Sequence, residues 1–362
     1  MLILPVTKIL AKQGHLPNLK KLMETGSTTQ ILPSFPQWTP TNWATVSTGA
    51  NTGTHGVFGW QVKMPTGQLL PSFDSSIVNA ETIWEAAEKH GIKSGIIHYP
   101  ASMPSRLNKG YVVDGYAIPG HGEGRYEIAP STCYINSNLP NFDHININKA
   151  SNWKNLGDYS NSLESEIQII PKFKGPEKIL HILILNSRNK GFDKILICKT
   201  KDVNTKITEI NIGEWSDWIY ETFMIENTQI TGTISFKLID LSKDGSKLKL
   251  YRSQIMPLNG FTNPDTLGEE MIKELGPYLE NVSMSPYFFD WIDFDTFLDE
   301  ARYQNQWLAN GALYLANKKG VSLFYSHTHV LDDPTHSHLA QVDPSNPYYD
   351  EKLANEHWNI IR

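Results

Sequence analysis

The 362-residue chain holds only two cysteines, Cys133 and Cys198, too few for a disulfide framework or a cysteine-based zinc site. It has no excess of positive charge. Thirty-two Lys and Arg against 38 Asp and Glu leave a net charge of −6, without the basic footprint that a nucleic-acid polymer demands. A nucleotide would therefore be met as a small substrate. No apolar run is long enough to span a membrane, and the opening Met1-Leu-Ile-Leu-Pro5 is too short for a secretory signal. Neither internal repeats nor low-complexity tracts break the chain, and its length suffices to bury a substantial core in one large domain or two.

Helix-like and strand-like segments alternate over residues 1–162. Asn79 to His90 is rich in helix formers, with Ile83, Trp84 and Ala87 on one side and Gly91 as the stop. The runs Ile92 to Pro100 and Gly110 to Gly115 read as strands, and this rhythm predicts a doubly wound, mainly parallel α/β sheet. Between residues 163 and 256 the pattern changes to short apolar runs split by Asn, Gly and Lys turns, among them Ile167–Ile170, His181–Leu185, Lys194–Cys198, Thr233–Asp240 and Lys247–Tyr251. These predict an inserted antiparallel β unit. Helical patterning returns near 265–280 and strongly over Asp293–Asn317, where Phe297, Ala301, Leu308, Ala312 and Leu315 share a face. Residues 257–362 thus resume the α/β core.

The segment from Pro36 to Gly56 carries the most chemistry. Pro40 suits a first helical turn, since its missing N–H would be unpaired there, and this makes Thr39 the candidate N-cap of a helix stopped by Gly49. Free N–H groups and the positive end of the helix dipole stabilise an anion beside Thr39 without any Lys or Arg. A threonine that merely caps its helix would look the same in sequence.

Thr39-Pro-Thr-Asn42, Ser47-Thr-Gly49 and His55-Gly56 resemble the nucleophile segment of the alkaline phosphatase superfamily, in its type I phosphodiesterase/nucleotide pyrophosphatase branch. Gly14 to Gly26 resembles the preceding helix, and Asp332-Asp-Pro-Thr-His336 resembles a later Asp-x-x-x-His metal motif. The resemblance implies an alkaline-phosphatase-like fold and a covalent nucleophile at Thr39 that also touches a metal. It further implies that Asp332 and His336 hold the other ion of a two-metal pair, commonly zinc, and that Asn42 lies at the substrate. A small phosphoester is the implied substrate, with no implied oligomeric state.

The chemistry asks for such groups independently. A threonine hydroxyl is protonated at neutral pH and needs a base or a cation to become a nucleophile, and two divalent ions about 4 Å apart hold both oxygens of an in-line displacement. Asp332 and His336, at i and i+4, can face the same way, although such a pair is also a common surface feature. Gly320 to Tyr325 reads as a buried strand with Ser326-His-Thr-His-Val-Leu-Asp332 following, and groups past the carboxyl end of a parallel strand are where open α/β sheets bind ligands. His327 and His329 share that neighbourhood as pocket or structural residues.

In the resembled family a metal-binding Asp-Gly ends a strand some fourteen residues before the glycine matched by Gly14, and a Ser-Asp-His-Gly and a further His follow the Asp-x-x-x-His region. None of these occurs here, so the chain reads as cut at both ends, leaving cytoplasmic and exported locations equally open. The nucleotide pyrophosphatases also carry an Asn where this chain has Trp60, whose indole offers one donor and suits stacking on a leaving group, or core packing. Gly213-Glu-Trp-Ser-Asp-Trp218 admits a glycosidase pair in Glu214 and Asp217 with stacking tryptophans, or plain packing. His121, in a Gly-rich run, invites either a metal or a loop.

These readings converge on a metal-dependent phosphoric-ester hydrolase, a phosphodiesterase using a phosphothreonine at Thr39. The alternatives are a phosphomonoesterase or phosphonate hydrolase of the same superfamily, and a non-catalytic ligand-binding protein on the same fold. The site assignment predicts the Thr39 hydroxyl and the Asp332 carboxylate within about 8 Å of one another, because both must reach one metal pair.

Overall fold

The computed structural model describes residues 4–116, 125–159, 161–186, 191–330 and 332–361, a mixed α/β protein with several sheets. Two compact units divide it. One comprises residues 1–110 and 322–362, the other Tyr111–Val321, whereas composition had set the boundaries at 162 and 256. In the second unit the strand Thr132–Ile135 pairs antiparallel with Leu248–Arg252.

In the first unit the strand Ser94–Ile97 pairs in parallel with Leu323–Ser326, matching Ile97 to Ser326. The helix Ile83–Lys89 lies before it. Thr82 and Glu85 form a capping box that fixes its start at Ile83, later than the expected Asn79. Trp84 and Ala87 are buried as expected, but Ile83 is 43% exposed. The helices Leu4–Lys12, Pro17–Thr25, Thr39–Thr48, Asp332–Val342 and Ala354–Ile361 complete this unit's longer elements.

The second unit is built on a five-stranded antiparallel sheet in the order 206–211, 194–198, 178–185, 163–169, 148–149. Its central strands are apolar on both faces. Ile182, Ile184, Ile195 and Ile197 enter one core with Ile167, Phe223, Phe236 and Leu250. Leu183, Leu185, Leu196 and Cys198 turn to the opposite side, against Trp153. Pairing of Ile184 with Ile195 and Leu183 with Leu196 keeps these faces in register. Cys133 and Cys198 are buried free thiols, pushed up by burial to about 12 and about 11.

The run expected as one strand over Thr233–Asp240 is two. Ser235 ends the pairing of Thr228–Ile234 with Ile219–Ile225, and Phe236–Leu241 pairs instead with Leu248–Arg252. The Ser235 N–H donates to Ser253 Oγ at 3.0 Å, which satisfies the backbone where the chain changes sheets. The long helix Phe294–Lys319 is capped by Asp293 through the Thr296 N–H and stopped by Gly320 at φ +68°, close to its expected span. No helix among the described residues is long and apolar enough to cross a membrane.

Ile184→Ala should remove about 2–5 kcal/mol of stability, read from the urea midpoint, because Ile184 is fully buried in the larger core. A loss below about 1 kcal/mol would mean that this face is not the packing centre.

Candidate functional site

The helix Thr39–Thr48 begins one residue earlier than expected. Trp38, in extended conformation, occupies the N-cap position, Thr39 is the first helical residue, and no side chain caps the start. The Thr39 side chain is exposed. Asn42 ties the preceding loop down, its Oδ1 accepting from the Ser34 N–H and its Nδ2 donating to the Trp38 carbonyl, both at 2.9 Å. One turn of helix deeper, Thr45 Oγ1 accepts from Ser34 Oγ at 2.7 Å.

His55 is fully buried beneath this arrangement. Its Nδ1 accepts from the Val57 N–H at 3.1 Å, so the proton sits on Nε2, which lies 3.0 Å from Thr45 Oγ1. Burial lowers its pKa, as befits a neutral ring. Gly56 follows at φ +78°, where a Cβ would come within 2.5 Å of Asn79 Nδ2. The His-Gly pair therefore locks the Thr39 helix to the turn after it.

Trp43 lies one turn beyond Thr39 on the same face of the helix. Its ring meets Tyr99 edge to face at 5.3 Å and His327 at 4.9 Å, and the Tyr99 hydroxyl donates to the Trp43 carbonyl. His327 stacks on His98 at 5.7 Å. This follows from register: Ile97 pairs with Ser326, so His98 and His327 are each the next residue past the carboxyl end of neighbouring parallel strands. His98 takes a left-handed backbone, φ +53°, at that point. Burial first, then His98 and His329, bring the His327 pKa down to about 2.

From His327 the chain reaches His329, 5.6 Å away ring to ring, and then the helix Asp332–Val342. Asp332 Oδ2 lies 3.6 Å from His329 Nε2 and 3.3 Å from His336 Nε2. Ligand atoms of His329, Asp332 and Asp333 all fall within 4.8 Å of one another, a group able to hold a cation. Burial lowers the His329 pKa, while Asp332 and Asp333 oppose that. One imidazole and two carboxylates at one helix start suit a divalent ion, with the exposed His336 imidazole beside Asp332.

The structure thus brings together Asp332 and His336, as the spacing implied, and adds His329, which the sequence had left among the pocket residues. Asp333 was missed although its pairing with Asp332 at a helix start was visible. His98 was missed because Ile92–Pro100 drew attention only as a strand. Trp60, half exposed, rests edge to face on Phe73 at 5.7 Å beside the hairpin of Gln61–Lys63 and Leu69–Pro71. His121 lies outside the described residues. In the second unit Trp215 packs on Tyr251 and Trp218 on Tyr303, with the Trp215 indole donating to Asp299.

Residues 7–184 match the family model described as type I phosphodiesterase / nucleotide pyrophosphatase, which belongs to the alkaline phosphatase superfamily. The matched span contains Thr39, Asn42, His55 and Trp60, and ends before Asp332. No curated protein and no solved structure matches the chain.

The buried neutral His55 gives a pH dependence. Its folded pKa lies below the ordinary 6.5, so the unfolded chain binds the proton first. The stability it contributes is complete above pH 6.5 and is lost as the pH falls below that value. Between pH 7.5 and 5.5 the unfolding free energy of His55→Gln, from urea titration, should fall less than that of the parent, by at most about 1.4 kcal/mol per pH unit. Equal slopes would mean that folding leaves the His55 pKa where it is in the unfolded chain.

Proposed function

We propose, from the type I phosphodiesterase / nucleotide pyrophosphatase segment at residues 7–184, that this protein is a metal-dependent phosphodiesterase acting through a phosphothreonine at Thr39 on a small phosphoester. The proposed core is the doubly wound, alkaline-phosphatase-like sheet. The observation that carries the reading is the exposed Thr39 at an uncapped helix start, one turn from a Trp43 that packs on His327 beside the His329–Asp332 group.

His329, Asp332 and Asp333 fit one divalent ion, with His336 at 3.3 Å from Asp332, and the proposed pair of ions, zinc in type, would include Thr39 and His336 among its ligands. When bound, the ions supply a lowered hydroxyl pKa and neutralise charge on the phosphoryl oxygens. Thr39 Oγ then attacks phosphorus in line with the leaving alcohol, whose P–O bond breaks and whose oxygen takes up a proton. The N–H groups of the first helical turn that have no intrahelical partner face the phosphoryl oxygens, with Pro40 contributing none. Asn42 spends one amide N–H on Trp38 and keeps the other for substrate. Water attack on the phosphothreonine releases phosphate monoester and restores Thr39. Trp60, exposed, stacks on the leaving group.

In the full-length protein as the cell makes it, bis(p-nitrophenyl) phosphate hydrolysis should stop with a chelator and return with zinc. Thr39→Ala should lower kcat at least about a thousandfold. Asp332→Asn should weaken zinc binding about 10–100-fold, with turnover partly restored by excess zinc. Turnover indifferent to Thr39→Ala would refute the nucleophile, and unchanged zinc affinity in Asp332→Asn would refute the metal assignment.

A further inference from the structure

The second unit contains a cavity of about 930 Å³ whose chemistry the esterase reading does not use. Arg252, 3% exposed, lines it from the end of the strand Leu248–Arg252. Its Nε donates to the Tyr134 hydroxyl, one terminal nitrogen to the Ser253 carbonyl and the other to the Pro130 carbonyl, at 3.2, 2.9 and 2.7 Å. None of these acceptors carries charge, and the guanidinium cannot shed its proton. A buried cation held only by neutral oxygens is stabilised by an anion from outside the chain. Three of its five N–H donors are spent, which leaves two for such a group.

A second polar group points the same way. Ser165 lines the same cavity, is 6% exposed, and its Oγ has no hydrogen-bond partner. A buried hydroxyl left unpaired costs free energy that a ligand oxygen would recover. The other walls are of mixed charge, with Lys201 paired to Glu164 at 2.9 Å. Asp143 and Glu166 are exposed acceptors on the lining, and they disfavour a second anion while accepting from hydroxyl groups. Phe142 and Trp291 add flat apolar faces suited to the C–H face of a ring.

We propose that this cavity binds an anionic monosaccharide, a sugar bearing a carboxylate or a phosphate, with the anion on Arg252 and Ser165 and the hydroxyls on Asp143 and Glu166. The size fits, since small-molecule sites run to several hundred cubic ångströms. The inference is independent of the phosphodiesterase reading and concerns residues of the second unit only.

The test is calorimetric titration of the full chain in a chelating buffer, which keeps phosphate off any metal at His329 and Asp332. The probes are glucuronate, glucose 6-phosphate, glucose and inorganic phosphate. Glucuronate or glucose 6-phosphate should bind about tenfold or more tightly than both glucose and inorganic phosphate, and the better of the two identifies the anionic group. Arg252→Met should weaken that binding by about tenfold or more. Because Arg252 is buried and its loss can unfold the chain, Asn146→Trp provides the second variant. Asn146 is exposed on the cavity lining, and the indole should obstruct the cavity with a similar loss and an unchanged urea midpoint. Absence of sugar-anion binding, or equal binding of glucose or inorganic phosphate, overturns the proposal. So does binding that persists in folded Arg252→Met or Asn146→Trp.

Discussion

The parallel pairing of Leu323–Ser326 on Ser94–Ile97 is the constraint on which the candidate site rests. The ladder matches Ile97 with Ser326, and the next residue on each strand is a histidine, so His98 and His327 stack without further provision. A slip of one residue would turn one ring to the opposite face and leave the other without its neighbour. His327 then supplies the surface on which Trp43 rests, while His329 brings the chain to the Asp332 helix. Strand register thus governs both the seat of the Thr39 helix and the approach of the Asp332 helix.

The Thr39 helix is held at its base by interactions that leave its tip unencumbered. Ser34, Thr45 and His55 form a connected set of hydrogen bonds, and Asn42 fastens the incoming loop, yet no side chain caps the start. A capping side chain would satisfy the same N–H groups that an anion would use. Burial of a neutral His55 keeps positive charge out of this support, so that the attraction for an anion at the tip comes from backbone dipoles.

Much of this was legible because spacing is local. Thr39 before Pro40, Gly49 at a stop, and Asp332 four residues before His336 are properties of single helices, and the structure keeps them nearly where pattern put them. The central strands of the second unit were legible from runs such as His181–Leu185 and Lys194–Cys198, since burial on both faces removes polar alternation. Less legible were the edge strand Lys206–Asn211, with Lys, Thr and Glu outside, and the short strand Thr132–Ile135. The sheet change at Ser235 was invisible because Thr233–Asp240 is continuously strand-like, and only Ser216 and Ser253 across space reveal the break. His98 and His327 likewise meet through a pairing between distant segments that no local pattern encodes.

That distance has a kinetic corollary. The two strands flank residues 98–322, and closing a flexible loop of this length costs about 5 kcal/mol of chain entropy beyond a constant. Direct search by an unfolded chain is therefore slow. Tyr111–Val321 has its own core and its own mostly antiparallel ladders, so it can consolidate first and relieve that search. During synthesis Thr39 and its support leave the ribosome well before Leu323–Ser326 and the Asp332 helix. A nascent chain accordingly carries the Thr39 helix long before the stacked histidines, on which Trp43 rests, can form.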